Sequence, residues 1–211
     1  ADEYIEMFLV KLFKPRYIVI GYDHRFGLSR QGDIHFLKWH GAKFGYEVID
    51  IEKQEIEEIA ISSTKIRRAL LQGDIKQANL LAQDHYILSG EVVHGDKMGK
   101  KLGFPTANVG EVHPDKIFPA EGVYSVRVDI LDDPKLTQIM GVANYGKRPS
   151  IGNETPLLEV HLIENGQDIY DRPIRVHFID RIRDEKKYNS KDDLRAQIIK
   201  DVKVARAQLL S

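Results

Sequence analysis

The chain has 211 residues, with 31 Lys and Arg against 32 Asp and Glu and no cysteine. That length suffices for one large domain or two small ones, and the cancelled charge offers no field to recruit nucleic acid or an anionic membrane. The missing thiols exclude disulfides, thiolate catalysis and cysteine-based zinc sites, which fits a reducing cytoplasm. No apolar run approaches the length of a transmembrane helix, and Ala1-Asp2-Glu3 is not expected to open a signal peptide.

Tyr4, Ile5, Phe8, Leu9 and Leu12 recur at helical spacing, so residues 2–13 are predicted as an amphipathic helix ended by Pro15. Tyr17-Ile18-Val19-Ile20 enters Gly21 as a short apolar run, the form of a buried parallel strand. The polar loop Tyr22 to Gly27, with Asp23, lies at its carboxyl end, where open α/β sheets bind ligands. A helix over roughly 33–44, carrying Leu37 and Trp39, leads to a strand over Tyr46–Ile51. The charge-rich stretch Glu52–Glu58 is expected to be a solvated connection.

Ile61-Ser62-Ser63-Thr64-Lys65-Ile66-Arg67 places capping hydroxyls immediately before an amphipathic run. The first turn of such a helix exposes free N–H groups, and Arg67 falls four residues after Ser63 on the same face. Two readings fit: a capped helix with surface arginines, or a nest of hydroxyls, N–H groups and arginine that holds a triphosphate. Gly73-Asp74 starts a further short helix to about Gln83, with Ile75, Ala78, Leu81 and Ala82 along its apolar side.

From Tyr86 the pattern changes to short strands with almost no helix. Strands are predicted over 86–93, 104–109, 122–128, 138–144, 157–164 and 174–182, with turns at Asp132-Asp133-Pro134 and Asn165-Gly166. Six such strands argue for a closed antiparallel barrel. Leu194, Ile198, Val202 and Leu209 then form a helical stripe over 191–210 that would lie against it.

The richest stretch runs from Gly95 to Asn108. Gly95, Gly99 and Gly103 sit four apart among lysines, a composition suited to bringing backbone N–H groups close to phosphate. It is not a Walker A loop, which needs four residues between its glycines, a Ser or Thr after the Lys, and a following helix. Here three residues intervene, Lys101 replaces the hydroxyl and Pro105 forbids a helix interior. In the extended segment that follows, Thr106 and Asn108 project to one side. A hydroxyl and an amide oxygen together suit Mg²⁺ shared with nucleotide phosphates; an ordinary Gly-rich hairpin before a strand is the alternative. In the alternating stretch Leu157 to Leu162, Leu158, Val160 and Leu162 share one face, and Glu159 shares the other with His161. Glu159 therefore either faces solvent or is a carboxylate inside a small barrel, where it would need a task or a partner. The histidines show no metal-ligand spacing.

These residues carry a resemblance. Leu102-Gly103-Phe104-Pro105-Thr106-Ala107-Asn108 after a Gly/Lys loop resembles the signature of riboflavin kinases, including the kinase module of bacterial bifunctional riboflavin kinase/FMN adenylyltransferases (FAD synthetases). Asn144-Tyr145-Gly146-Lys147-Arg148-Pro149-Ser150 is similar to the family's Asn-x-Gly-x-Arg-Pro-Thr, with Ser for Thr. Leu158-Glu159-Val160-His161 resembles its acidic strand, and Arg183-Asp184-Glu185-Lys186-Lys187-Tyr188 its Arg-x-Glu-x-x-Phe loop, with Tyr for Phe. The Ser62 to Arg67 stretch looks like the Ile-Ser-Ser-Thr-x-x-Arg of the FMN adenylyltransferase module, and Gly21 to Gly27 like that module's nucleotide-side loop. The family's His-x-Gly-His is absent, so the chain is expected to start inside that module and to make no FAD alone.

The resemblance implies an α+β chain. Residues 1–84 would be part of a Rossmann-like nucleotidyltransferase module, and 85–211 a Greek-key riboflavin kinase barrel with a C-terminal helix. It implies a transfer of the ATP γ-phosphate to riboflavin, giving FMN. Gly95, Gly99, Lys100 and Gly103 would hold the nucleotide, Thr106 and Asn108 would bind Mg²⁺, and Glu159 would take the proton. Arg183, Glu185 and Tyr188 would line the flavin pocket, and Asp23, Ser63, Thr64 and Arg67 would be adenylyltransferase residues. A flavin-binding module without catalysis is the alternative; a nucleic-acid-binding barrel is disfavoured by the balanced charge.

Overall fold

The computed structural model describes residues 2–21, 23–51, 55–56, 59–60, 62–95, 98–148, 153–164 and 168–210. Asp96 and Lys97 of the Gly-rich loop, Pro149 and Ser150, the Asn165-Gly166 turn, Tyr22, Ile61 and most of Glu52–Glu58 lie outside them. The chain divides into two compact units, Ala1–Ile61 and Ser62–Ser211.

In the first unit, helix α1 (Tyr4–Phe13) is of π type, with Ile5 its one buried residue among those described. Tyr4, Phe8 and Leu12, expected to form the packed stripe, are 40%, 43% and 65% exposed. Tyr4 and Phe8 do share a face, their rings stacking 5.2 Å apart, but the described residues of this unit leave that apolar strip largely uncovered. Strand β1 (Tyr17–Gly21) pairs in parallel with β2 (Glu47–Ile51). Between them lies helix α2 (Ile34–Phe44), capped by Asp33, whose carboxylate accepts the Phe36 N–H. Ile5, Ile20, Leu37 and Tyr46 form the core. With two strands rather than a full sheet, β1 is not buried on both sides: Tyr17 and Val19 are each 60% exposed, and Trp39 of α2 is 67% exposed. Two-residue strands β3 (Glu55–Ile56), inside the expected solvated connection, and β4 (Ile59–Ala60), just beyond it, pair antiparallel.

The second unit opens with α3 (Ser63–Gln72) and α4 (Ile75–Ala82). Gly73, between them, has φ +74, the left-handed conformation that glycine adopts without a Cβ clash. Ala69, Leu70, Ile75 and Ala78 pack into the same core as the barrel that follows. That barrel comprises β5 (Tyr86–Val93), β6 (Ala107–Gly110), β7 (Gly122–Ile130), β8 (Ile139–Arg148), β9 (Asn153–Leu162) and β10 (Pro173–Arg183). It closes in the order β10-β5-β6-β9-β8-β7, every pair antiparallel. β7, β8 and β9 are sequential neighbours and β10 returns beside β7, which is a Greek key.

Alternation decides what faces inward. Leu88, Val92, Val126, Val128, Val160, Val176 and Phe178 are fully buried, and each such side chain contributes roughly 1.5–3 kcal/mol. The last helix, here α5 (Lys191–Leu210), lays Val202, Ala205 and Leu209 over Val123 and Val142 on the barrel's outer wall.

Candidate active site

Strands β6 and β9 lie side by side, with Ala107, Val109, Leu158 and Val160 turned into the core. Period two then dictates that Asn108 and Glu159 project from the outer wall. They are direct cross-strand partners, and Glu159 is likewise opposite Asn144 on β8, so Asn108, Glu159 and Asn144 form one polar row across three strands. Thr106 and His161 lie at the next outward positions of the same two chains. Glu159 therefore sits outside the barrel, as a residue whose neighbouring leucines fill the core must. It is nonetheless only half exposed, and its Oε1 is shielded from solvent.

The Gly-rich loop lies against the same wall, at Thr106 and Asn108. A one-turn helix, Met98–Lys101, ends with the Gly99 carbonyl accepting from the Leu102 and Phe104 N–H groups at 3.0 and 2.9 Å. Gly103 follows at φ +86. A Cβ on Gly95 would overlap the Asn108 amide nitrogen, and one on Gly99 would overlap the Phe104 carbonyl and lie 3.0 Å from the Thr106 hydroxyl. These glycines let the loop rest on Thr106 and Asn108, a use that spacing alone did not reveal. Asn108 is 5% exposed. Its Oδ1 is buried with no hydrogen-bond partner among the described residues, and such an atom costs on the order of 1–3 kcal/mol.

Beside this patch Lys100, Pro105 and Thr106 border a pocket of about 260 Å³ floored by Val92, Val160 and Leu162. Tyr170 lines it too, and stacks on His94 with ring centroids 4.1 Å apart. His161 Nδ1 donates to the Pro105 carbonyl at 2.8 Å, and the Phe104 ring meets the imidazole edge-on at 5.4 Å.

A second cluster surrounds the β10–α5 connection. A Cβ on Gly146 would overlap the Glu185 carboxylate. Partial burial there raises the Glu185 carboxyl above its ordinary range, while a hydrogen bond from Asn144 pulls the other way. Asn144 thus links Glu185 to the row containing Glu159. Arg183 is held differently from a free ligand-binding arginine. Its Nε and Nη2 grip the buried Asp201 of α5 at 2.8–3.1 Å, and its Nη1 donates to the Asp184 carbonyl. Its guanidinium also lies 5.8 Å from the centre of the Tyr188 ring. Tyr188 Oη is buried without a hydrogen-bond partner among the described residues.

The expected adenylyltransferase residues fall in both units. Asp23 is exposed just past β1 in the first unit. Ser63, Thr64 and Arg67 are exposed on the first turns of α3 in the second. The cap itself is Ser62, which accepts the Lys65 N–H at 3.2 Å, while Ser63 accepts from Arg67 at 3.3 Å. No group of three or more His, Asp or Glu among the described residues could hold a metal.

Comparison with known proteins agrees with this arrangement. The family model of riboflavin kinase matches residues 82–209, more than half of the chain. The chain belongs to the riboflavin kinase family. A second model, FAD synthetase, matches residues 1–65. The bifunctional riboflavin kinase/FMN adenylyltransferase of Haemophilus influenzae is 42% identical over 208 residues, covering 98% of this chain and 66% of the relative. Its Escherichia coli K12 counterpart is 37% identical over 206 residues, covering 98% and 64%. The chain therefore spans slightly less than two thirds of the length of these curated relatives. A crystal structure described as a macrolide-efflux protein from Streptococcus pneumoniae superimposes with a TM-score of 0.83 at 35% identity, over 98% of this chain and 64% of that one. Among the described residues here, no helix is long and apolar enough to cross a membrane.

Proposed function

We propose that the second unit is a riboflavin kinase, moving the γ-phosphoryl group of ATP to the 5′-hydroxyl of riboflavin to give FMN and ADP. The observation that carries this reading is the outer-wall patch in which Asn108 faces Glu159 beneath the glycine-rich loop. Phosphoryl transfer requires a positioned γ-phosphate, neutralised charge and a nucleophile relieved of its proton. The loop glycines and Lys100 would supply the first requirement, and the apolar floor of the adjoining pocket would receive the base.

The residues present fit Mg²⁺. Asn108 Oδ1 is a buried oxygen that lacks a partner, and the Thr106 hydroxyl projects to the same side, which is the hard-oxygen chemistry that this ion selects. When bound, the ion would offset charge on the phosphates. Glu159 accepts the riboflavin 5′-hydroxyl proton as that oxygen forms its bond to phosphorus. The bond from phosphorus to the bridging oxygen breaks, and ADP leaves with the electron pair. Tyr188 would offer an aromatic wall to the flavin ring, with Glu185 and Arg183 shaping the loop that carries it. We further propose that the kinase module begins at about residue 85 and is preceded by adenylyltransferase sequence. We also propose a cytoplasmic location, which the use of ATP as donor supports.

The test is FMN and ADP formation from riboflavin, ATP and Mg²⁺; binding of both substrates without ADP release would overturn the catalytic reading. A second incubation with FMN, ATP and Mg²⁺ is expected to give no FAD above a protein-free blank, since the sequence contains no His-x-Gly-His.

A further inference from the structure

We propose that His161 is a positioning residue for this reaction, one whose hydrogen bond to Pro105 sets the Thr106 hydroxyl against Glu159. The inference rests on the kinase reading above. A backbone carbonyl can only accept, so the proton must sit on Nδ1, the nitrogen 2.8 Å from the Pro105 oxygen. That fixes the tautomer and the ring plane.

The location gives this bond its consequence. The β6–β9 ladder starts at Ala107 opposite Val160, so the backbone of Thr106 is not among the paired residues. Pro105 has no N–H to contribute. What ties this segment to β9 is the side chain two residues beyond Glu159 on the same outward face. The imidazole also supports the Phe104 ring, and the Phe104 N–H donates to the Gly99 carbonyl. One side chain on the strand bearing Glu159 therefore braces both the loop expected to hold phosphate and the segment presenting Thr106. Without it, the side-chain tie from β9 to this segment is lost, leaving Thr106 to its chain neighbours and to the packing of Gly99 on it, and displacement of about 1 Å at such a site can cost about 10²-fold in rate.

Two substitutions separate this role from a merely structural one. His161→Asn keeps an N–H on the same γ atom, whereas His161→Leu removes the donor and keeps apolar bulk. For the full chain, His161→Leu is expected to raise the half-saturating Mg²⁺ and the KM for ATP by about 10- to 100-fold. The KM for riboflavin should stay within about twofold, and His161→Asn should recover most of the difference. Equal impairment of the two variants, or an unchanged ATP and Mg²⁺ dependence in His161→Leu, would overturn the proposal. Calorimetric titration of MgADP into the three proteins reads positioning without turnover. A wild-type chain that binds MgADP but makes no FMN would sink the kinase reading while leaving the Leu/Asn contrast decisive. Should His161→Leu fail to fold, imidazole ¹⁵N spectra of the wild type decide: a proton on Nδ1 supports the bond, and one confined to Nε2 refutes it.

Discussion

Replacing Glu159 by Gln tests most directly whether the outer-wall patch performs chemistry. The side chain is half-buried, its Oε1 is shielded, and its cross-strand neighbours are the amides Asn108 and Asn144. Glutamine has the same size, so no cavity forms, and both neighbours can still hydrogen-bond to it; the change in stability should stay below about 1 kcal/mol. The loss of a proton acceptor is another matter. General-base assistance contributes about 10²–10⁴-fold, or roughly 3–5 kcal/mol of barrier at about 1.36 kcal/mol per tenfold. Glu159→Asp gives an intermediate point, because the carboxylate survives but retreats by about 1.5 Å, one carbon–carbon bond. Misplacement on that scale costs about 10²-fold. Single-turnover FMN formation at saturating riboflavin and MgATP should therefore fall for both variants, Gln at least as far as Asp, with melting temperatures unchanged. A Glu159→Gln protein that turns over at the wild-type rate refutes the assignment, because the carboxylate would then be only a surface group of the barrel wall.

Three further outcomes follow from the same geometry. Asn108→Leu removes a buried oxygen that has no partner among the described residues, so urea midpoints should hold or rise while the Mg²⁺ needed for half-maximal activity increases more than about tenfold. Asp201→Ala strands Arg183 beside an apolar wall and should cost about 3–5 kcal/mol in denaturant unfolding, the usual result of removing one member of a buried pair. Partial burial raises the Glu185 carboxyl, so the folded state binds that proton more tightly than the unfolded chain does. Its contribution is fully present below the unfolded pKa of about 4.3 and is lost as pH rises through the folded value. The urea midpoint of Glu185→Gln should therefore gain on the wild type with increasing pH over that window.

The barrel was legible in the sequence because each strand obeys a local rule. Gly122 to Val128 alternates, and the structure buries Tyr124, Val126 and Val128 in the barrel core while Arg127 faces out. The partner rows were not legible, since register is a property of two strands. Nothing within residues 157–162 says that Glu159 will face Asn108 on one side and Asn144 on the other. Glu159, expected either in solvent or inside the barrel, stands instead half-buried on the outer wall within a polar row. The same limit applies to Arg183, whose partner Asp201 is 18 residues away on a helix with a polar sequence. In the first unit Tyr4 and Phe8 do share a side, with rings stacked 5.2 Å apart, but periodicity groups residues without saying whether another element will cover them.

Barrel size bears on why the proposed chemistry would sit outside. An eight-stranded barrel has an interior just wide enough for side chains to fill, so six strands leave no lumen for a nucleotide and a flavin. Val92, Val126, Val160 and Phe178 are fully buried in that interior. A carboxylate placed there would meet no substrate and would suffer the full desolvation cost. On the outer wall the opposite problem arises, because open water weakens every electrostatic interaction on which phosphoryl transfer depends. In the proposed site the glycine-rich loop would ease this by lying close on Thr106 and Asn108, closer than any residue with a Cβ could at Gly95 or Gly99. The result is an Asn108 oxygen withdrawn from water and lacking a partner among the described residues, which is unfavourable for folding and suited to a cation. A residue that weakens the apo fold while strengthening ligand binding belongs to a site rather than to a scaffold. The Asn108→Leu comparison measures both effects in one protein.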